Sequence, residues 1–194
     1  MKLVAGVDEA GRGPLAGPVV AAAVILPHDF PKAGLKDSKK LSLKEREYFF
    51  ALIKAKAVSV GIGIVSAKEI DQINIFQASL KAMAIAVSNL SYQPQKIFVD
   101  GRHIIPNLAI PQEAVIKGDN LHPCIMCASI VAKVTRDCLM EKLHLEYPQY
   151  GFNQHKGYGT KRHLRALQKH GPSPVHRKSF APVKELSLLS LKGY

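Results

Sequence analysis

Two apolar segments near the amino terminus, at residues 3–7 and 19–26, constrain the fold more than any other feature of this sequence. Their apolar, partly β-branched composition predicts two buried strands. The loop between them contains three glycines and two prolines. It is too short to hold the crossover helix that parallel neighbours require. The two strands are therefore predicted to lie side by side and antiparallel.

Beyond this pair of strands the sequence alternates between helix and strand patterns. Ser42 and Ser66 are each followed three positions later by glutamate, which predicts capping boxes at the start of helices that end near residues 57 and 90. Further strands are predicted at 58–65, 96–99 and 114–117, and further helices at about 123–145 and 160–170, before a tail that contains prolines. This order predicts an α/β fold with a mixed sheet flanked by helices. Residues 1–146 are expected to form the core and residues 147–194 a small basic helical extension.

The charge of the chain favours a polyanionic partner. The net charge is +12, and nucleic acid is the simplest partner for such a chain. Acidic residues are almost absent from residues 151–184, and a solvated helix face is the alternative interpretation for any single basic residue there. The residues predicted to bind a duplex backbone are Lys156, Lys161, Arg162, Arg165, Lys169, Arg177 and Lys178. The histidines of the same region, His155, His163, His170 and His176, are expected to be hydrogen-bond partners rather than metal ligands.

Two other classes of protein are disfavoured. The longest apolar run, residues 18–26, is too short to cross a bilayer, and the start of the chain does not have the pattern of a signal peptide. We therefore expect a cytoplasmic protein without membrane contact. Cys124 and Cys127 form a single CxxC pattern with Cys138 downstream, and no second pair completes a zinc site. The cysteines are interpreted as small buried apolar residues.

Acidic residues follow three of the predicted strands: Asp8 and Glu9, Asp100, and Asp119. Sites in open α/β sheets commonly lie at strand ends, so these carboxylates are expected to converge. Four anions need cations to stay together, and oxygen ligands without histidine or cysteine favour Mg²⁺ or Mn²⁺ over zinc. Ordinary turn chemistry is the alternative for each acid alone. Because successive strand residues point to opposite faces, Asp8 and Glu9 need a bulge or a strand end to share a metal.

The loop after Glu9 contains Gly11, Arg12 and Gly13. A dinucleotide fingerprint is excluded, because the glycine spacing is G-x-G-x-x-x-G and the loop leads into a strand rather than a helix. Glycines let a backbone approach a ligand closely, and arginine suits phosphate. Together with the acids, this loop predicts a metal-dependent enzyme that acts on phosphodiesters.

Seven blocks of the sequence, in the same order, resemble the bacterial ribonuclease HII family over nearly the whole chain. The blocks are DEAGRGPLAGPV at 8–19, DSKKLS at 37–42, FVDG at 98–101, KGD at 117–119, ASIVAKVTRD at 128–137, YPQYGFNQHKGYGTKRH at 147–163 and GPSPVHRKSFAPV at 171–183. The resemblance implies an RNase H-like fold with a five-stranded mixed sheet. It also implies an endonuclease that uses two divalent cations, Mn²⁺ or Mg²⁺, to cut the RNA strand of RNA/DNA hybrids. The family additionally incises duplex DNA 5′ to a single embedded ribonucleotide, leaving 3′-hydroxyl and 5′-phosphate ends.

The resemblance also implies roles for individual residues. Asp8, Glu9, Asp100 and Asp119 match the catalytic, metal-binding acids of the family. Gly11, Arg12 and Gly13 match the motif that recognises the ribonucleotide through its 2′-hydroxyl, the group that distinguishes RNA from DNA. Tyr158 matches the tyrosine that stacks on the next deoxyribose, and Lys39 is a predicted phosphate contact. Arg136 and Asp137 are interpreted as a supporting ion pair.

One block departs from the family pattern. Met126-Cys127-Ala128-Ser129 stands where a run of small residues, Ser-Ala-Ala-Ser, is usual, which questions the packing near Asp119 and predicts sensitivity to oxidation at Cys127. Residues 186–191 are interpreted either as a partner-binding tail or as a packing segment, and the protein is expected to be a monomer. Two other functions compete: a resolvase-like DNA nuclease of the same fold, and a non-catalytic hybrid-binding protein. The glycine–arginine–glycine loop disfavours the first, and the complete set of acids disfavours the second.

Overall fold

The computed structural model describes residues 3–36 and 38–191, with side chains described as far as residue 186. The strands are β1 Val4–Ala10, β2 Val19–Ile25, β3 Ser59–Val65, β4 Lys96–Asp100 and β5 Gln112–Val115. The helices are α1 Leu43–Lys56, α2 Ala67–Ser88, α3 Pro123–Glu146, α4 Phe152–His155, α5 Lys161–His170 and α6 Ala181–Leu191. Two 3₁₀ turns lie at Gly118–Asn120 and Pro148–Tyr150. Among the described residues, no helix is long and apolar enough to cross a membrane.

The five strands form one mixed sheet in the order β3-β2-β1-β4-β5. β1 is antiparallel to β2 and β2 to β3, whereas β1, β4 and β5 are parallel. The prediction of a mixed five-stranded α/β sheet, with the first two strands antiparallel, is confirmed. Since β1 and β4 are parallel neighbours, with Val7 paired with Val99, their carboxyl ends lie at the same edge of the sheet.

β1 is longer than predicted. It continues past Val7 to Ala10, so that Asp8 and Glu9 lie within the strand and pair with Ala22 and Ala21 of β2. The expectation that the strand stops at Val7 is therefore wrong. Main-chain pairing with the fully buried strand β2 outweighs the polarity of the two acids. The continued strand places the two carboxylates on opposite faces of the sheet.

Helices pack on both faces of the sheet, and α2 approaches β3 so closely that glycine is needed there. A Cβ atom added at Gly63 would lie 1.9 Å from the carbonyl oxygen of Ala82 in α2. Relief of that contact requires the helix to move away from the sheet. A close approach between backbones thus explains the glycines that the sequence places in this strand.

Replacement of Gly63 by alanine is expected to destabilise the protein by about 2 kcal/mol, the usual cost of overpacking. The free energy of unfolding in urea measures the effect. Ile64→Ala is the matched control on the same strand, because Ile64 is 46% exposed and its truncation should cost less than the clash at Gly63. Equal stability of the two variants would contradict the close packing of α2 on β3.

α2 is interrupted at Asn74, where the prediction was a continuous helix. Asn74 has φ 65° and ψ 164°, outside the helical region. Its side-chain oxygen accepts hydrogen bonds from the backbone N–H groups of Phe76 (3.0 Å) and Gln77 (3.1 Å). Asn74 therefore caps the second half of α2, whose residues line a small cavity together with Asp100 at the end of β4.

The carboxyl-terminal elements share an apolar cluster with the rest of the chain. Phe152 and Leu167 pack with Leu15 and Met140, which lie on the other side of residue 146. The division of the chain at residue 146 stays a prediction. α6 was not predicted, because the sequence analysis expected a tail after the basic helix; of residues 186–191, only the side chain of Leu186 is described.

Candidate active site

Three aspartates converge at one edge of the sheet. Carboxylate oxygens of Asp8, Asp100 and Asp119 all lie within 4.8 Å of one another. Asp8 comes from β1, Asp100 ends β4, and Asp119 lies in the 3₁₀ turn that follows β5. Asp100 Oδ1 accepts hydrogen bonds from the backbone N–H of Gly118 (2.8 Å) and Asp119 (3.4 Å), which ties the turn to the strand. The parallel strands thus bring together acids that are distant in sequence.

Glu9, the fourth predicted acid, does not belong to this group of three. Its carboxylate lies 3.4 Å from Nη1 of Arg12, the arginine of the neighbouring loop. Glu9 remains near enough to Asp8 to raise the pKa of that carboxyl. The structure therefore places three acids together and the fourth beside them, as the alternation of side chains along β1 requires.

Burial and mutual repulsion raise the pKa values of three of the four acids. Burial, followed by repulsion from Glu9 and Asp100, raises the pKa of Asp8 well above its ordinary value. Burial also raises the pKa of Glu9. The pKa of Asp100 is raised by burial and then by Asp119. Buried carboxylates that repel one another in this way fit a site for hard divalent cations, which oxygen ligands favour.

Two serines support the acids, and the sequence analysis missed both. A hydrogen bond from Ser129 of α3 favours the charged form of Asp8 and so opposes the rise in its pKa. The hydroxyl of Ser129 lies 2.9 Å from that of Ser38. Ser38 lies in the DSKKLS block and Ser129 in the ASIVAKVTRD block, and their places in these two blocks were the available sequence signal. Asp37, which precedes Ser38 in the DSKKLS block, lies outside the described residues.

The cysteine interpretation holds for one residue and fails for another. Cys127 is buried in the apolar cluster between α3 and the sheet, and burial raises the pKa of its thiol. Burial raises the pKa of Cys124 to about 11. Cys124 is partly buried and Cys138 is exposed, so Cys127 alone of the three fully fits the interpretation as a buried apolar residue. The two thiols of the CxxC pattern are therefore protonated at neutral pH.

A cavity of about 250 Å³ lies beside the acids. It is lined by residues that the sequence analysis singled out, namely Glu9, Gly11, Arg12, Gly13, Lys39 and Tyr158. The Tyr158 side chain is partly exposed, and its ring is close to Gly13, where an added Cβ would lie 3.6 Å from the ring. Lys39 Nζ lies 3.6 Å from the carboxylate of Asp119. The glycine loop and Tyr158 therefore form two sides of one cleft that leads to the acids.

The predicted basic surface is largely exposed, but Arg177 is not part of it. Lys161, Arg162, Arg165 and Lys169 are exposed on α5, and Lys178 is exposed beyond it. The Lys156 ammonium binds the Glu141 carboxylate and the backbone oxygen of Asn153. Arg177 is completely buried and donates hydrogen bonds to backbone carbonyls, so its assignment to the duplex-binding surface is wrong.

The predicted ion pair between Arg136 and Asp137 is not formed. Arg136 is buried and donates to the backbone oxygens of Pro18 (3.0 Å), Lys156 (3.0 Å) and Ala16 (3.2 Å). Asp137 is instead paired with Lys133 at 2.8 Å. Arg136 thus joins the glycine loop to the segment that carries Tyr158.

Comparisons with known proteins agree with this geometry. A family model described as Ribonuclease HII matches residues 5–183. A ribonuclease HII of Bacillus anthracis is 56% identical over 183 residues, which cover 94% of this chain and 70% of that protein. The crystal structure of ribonuclease H2 from Pyrococcus horikoshii OT3 has a TM-score of 0.82 at 29% identity and covers 98% of this chain and 100% of that one. A ribonuclease HII solved in complex with PCNA, from Archaeoglobus fulgidus, has a TM-score of 0.77 at 28% identity, with coverage of 90% and 93%.

Proposed function

The chain belongs to the ribonuclease HII family, and we propose that it cleaves the RNA strand of RNA/DNA hybrids and incises duplex DNA 5′ to a single embedded ribonucleotide. The observation that carries the proposal is the cluster of Asp8, Asp100 and Asp119. It lies next to a cleft whose sides are the glycine loop and Tyr158. The cluster would be the site of hydrolysis, and the cleft would recognise the ribose of the substrate.

We propose that Asp8, Asp100 and Asp119 hold divalent cations, with Glu9 as the fourth acid. The raised pKa values of Asp8, Glu9 and Asp100 support this, because cations would remove the repulsion that raises them. Two bound ions, Mg²⁺ or Mn²⁺, would supply an activated water and a counter-charge for the leaving 3′ oxygen. The products would carry 3′-hydroxyl and 5′-phosphate ends.

The cleft residues would select the substrate. The backbone of Gly11, Arg12 and Gly13 would approach the 2′-hydroxyl, and the guanidinium of Arg12 would bind the neighbouring phosphate. Tyr158 would stack on the next deoxyribose, and Lys39 would contact phosphate. The exposed basic residues of α5 would follow the duplex backbone and make affinity depend on salt.

The partners of the chain are proposals as well. We propose that it acts as a monomer on nucleic acid, without membrane contact, in the cytoplasm. The Archaeoglobus fulgidus relative forms a complex with PCNA, and a sliding clamp is therefore the protein partner to examine first.

The proposal is tested with a 5′-labelled DNA duplex that carries one ribonucleotide, incubated with Mg²⁺, Mn²⁺ or EDTA. Cleavage on the 5′ side of the ribonucleotide is expected, with loss in EDTA and in an Asp100→Asn variant. An all-DNA duplex is the control. Cleavage of that control would favour a resolvase-like DNA nuclease, and binding without any cleavage would favour a non-catalytic binding protein.

Tyr158 is expected to contribute through its ring rather than its hydroxyl. We expect the contact between the ring and the sugar to contribute about 1.4 kcal/mol, so Tyr158→Ala should lower kcat/KM on the single-ribonucleotide duplex about tenfold. Tyr158→Phe keeps the ring and should remain within about threefold of the wild type. Equal losses in the two variants would show that the ring does not stack on the substrate.

A further inference from the structure

His176 and Arg177, which are adjacent in sequence and completely buried, lie between α5 and α6. Their segment pairs with the loop that leads from β1 to β2. His176 forms a bridge with Ala16, and the backbone N–H of Arg177 donates to the oxygen of Leu15 at 2.8 Å. From this segment the two side chains reach the two sides of the cleft.

The Arg177 guanidinium holds the glycine loop at both of its ends. Nη2 donates to the oxygens of Gly11 (2.6 Å) and Pro18 (3.2 Å), Nη1 to that of Arg12 (2.9 Å), and Nε to that of Gly17 (3.0 Å). Burial, followed by repulsion from Arg136, lowers the pKa of Arg177 to about 9, so the group stays charged at neutral pH. A planar cation with five N–H donors can join carbonyls that no single ammonium could reach together.

The His176 imidazole acts on the other side of the cleft through a second histidine. The backbone N–H of Ser173 donates to Nδ1 of His176 (3.0 Å), which leaves the proton of the neutral ring on Nε2. Nε2 then donates to Nε2 of His163 (3.0 Å). His163 in turn donates from Nδ1 to the carbonyl oxygen of Tyr158 (2.9 Å). The backbone N–H of Ser173 can only donate, so it fixes the tautomers of both histidines. The chain of hydrogen bonds ends at Tyr158, whose ring borders the cleft.

The backbone around Tyr158 is held on its other side as well. The N–H of Gly157 donates to Nδ1 of His155 (3.2 Å), and Nε2 of His155 donates to the oxygen of Tyr150 (2.8 Å). The ring of His155 stacks on that of His163 with centroids 4.5 Å apart. The histidine chain therefore acts on a segment that has little freedom to adjust.

We propose that the His176-Arg177 dipeptide is a positioning unit that sets the distance between the glycine loop and Tyr158, and so the fit of the ribonucleotide in the cleft. Its imidazole fixes Tyr158 through His163, and its guanidinium fixes the loop from Gly11 to Pro18. Neither side chain touches the substrate. This inference rests on the proposed function, because the width of the cleft affects cleavage only if the cleft binds the ribose of the substrate.

The imidazole arm is tested by a double-mutant cycle between His176→Asn and Tyr158→Ala. The asparagine oxygen can still accept the Ser173 N–H but cannot reach His163. We expect kcat/KM on the single-ribonucleotide duplex to fall about tenfold in otherwise wild-type protein, and less than twofold when Tyr158→Ala is already present. Equal factors in both backgrounds, or no loss at all, would overturn the inference. The proposed function is judged separately, by whether the wild type cleaves this duplex.

The guanidinium arm is tested by Arg177→Lys, which keeps the charge but cannot join four carbonyls. Binding is measured in the inactive Asp100→Asn background, on the single-ribonucleotide duplex and on an all-DNA duplex. We expect the ratio of the two affinities to fall at least threefold, with affinity for the all-DNA duplex unchanged, because α5 makes the backbone contacts. A parallel loss on both duplexes, or equal affinity for the two before Arg177 is changed, would overturn the inference. Thermal unfolding confirms that each variant is folded at the assay temperature.

Discussion

Replacement of Asp8 by asparagine is expected to abolish metal-dependent cleavage and, at the same time, to stabilise the metal-free protein. Asp8 is buried, and burial with repulsion from Glu9 and Asp100 raises the pKa of its carboxyl. Asparagine removes that repulsion and can still accept the N–H of Glu9, which donates to Asp8 Oδ1 at 2.7 Å. We expect kcat/KM to fall at least about 1,000-fold, a loss of about 4 kcal/mol of transition-state stabilisation.

The stability side of this prediction is measured by thermal unfolding in EDTA at pH 7, where Tm should rise by about 3 °C or more. Addition of Mn²⁺ should stabilise the wild type more than the variant, so that the difference shrinks or reverses. Asp29→Asn is the matched control, because Asp29 is exposed and distant in sequence from the acids. A variant that is less stable than the wild type in EDTA would show that the acids are not held in mutual repulsion.

The sheet and the convergence of the acids were predictable because they depend on local patterns. Short apolar segments, a loop too short for a crossover and capping boxes are all read from neighbouring residues, and strand ends bring the acids to one edge. The position of Glu9 was not predictable in the same way. Whether β1 stops at Val7 or continues to Ala10 depends on pairing with β2, and a continued strand directs the Asp8 and Glu9 side chains to opposite faces of the sheet.

The sequence analysis did not predict that two arginines are buried, because their hydrogen-bond partners are far away in sequence. Arg177 looks like one more basic residue in a basic region, yet it donates to Gly17, 160 residues earlier. Arg136 likewise binds Pro18, 118 residues earlier, rather than the adjacent Asp137. Composition correctly predicts a basic exposed surface, as the exposed residues of α5 show. It cannot reveal which basic side chains donate hydrogen bonds to backbone carbonyls in a distant loop. For the same reason the His163–His176 contact has no sequence signature beyond the two histidines.

Acidification of the metal-free protein is expected to reduce its stability through the two buried histidines. Burial lowers the pKa of His163 to about 4 and, with repulsion from His163, that of His176 to about 3. Between those values and 6.5, the ordinary value, the unfolded chain binds a proton at each ring and the folded chain does not. Stability therefore falls as pH falls through this window. The groups that face the pair, His155 stacked on His163 and the Tyr150 ring 4.7 Å from His176, offer no negative charge at these pH values.

The free energy of unfolding is expected to change by up to about 2.7 kcal/mol per pH unit for the two rings together. Each proton that only the unfolded chain binds contributes about 1.36 kcal/mol per pH unit. Urea unfolding at pH 7.0, 6.0 and 5.0 in EDTA measures it, and His176→Asn should remove about half of the slope. Asp8, Glu9 and Asp100 have raised pKa values and act in the opposite direction, stabilising the fold as pH falls, but they cancel in the comparison between wild type and variant. His170→Asn, a change at an exposed ring, serves as the control. An unchanged slope in His176→Asn would mean that the ring accepts a proton within the folded protein, and a protonated Nδ1 could not accept the Ser173 N–H on which the histidine chain depends.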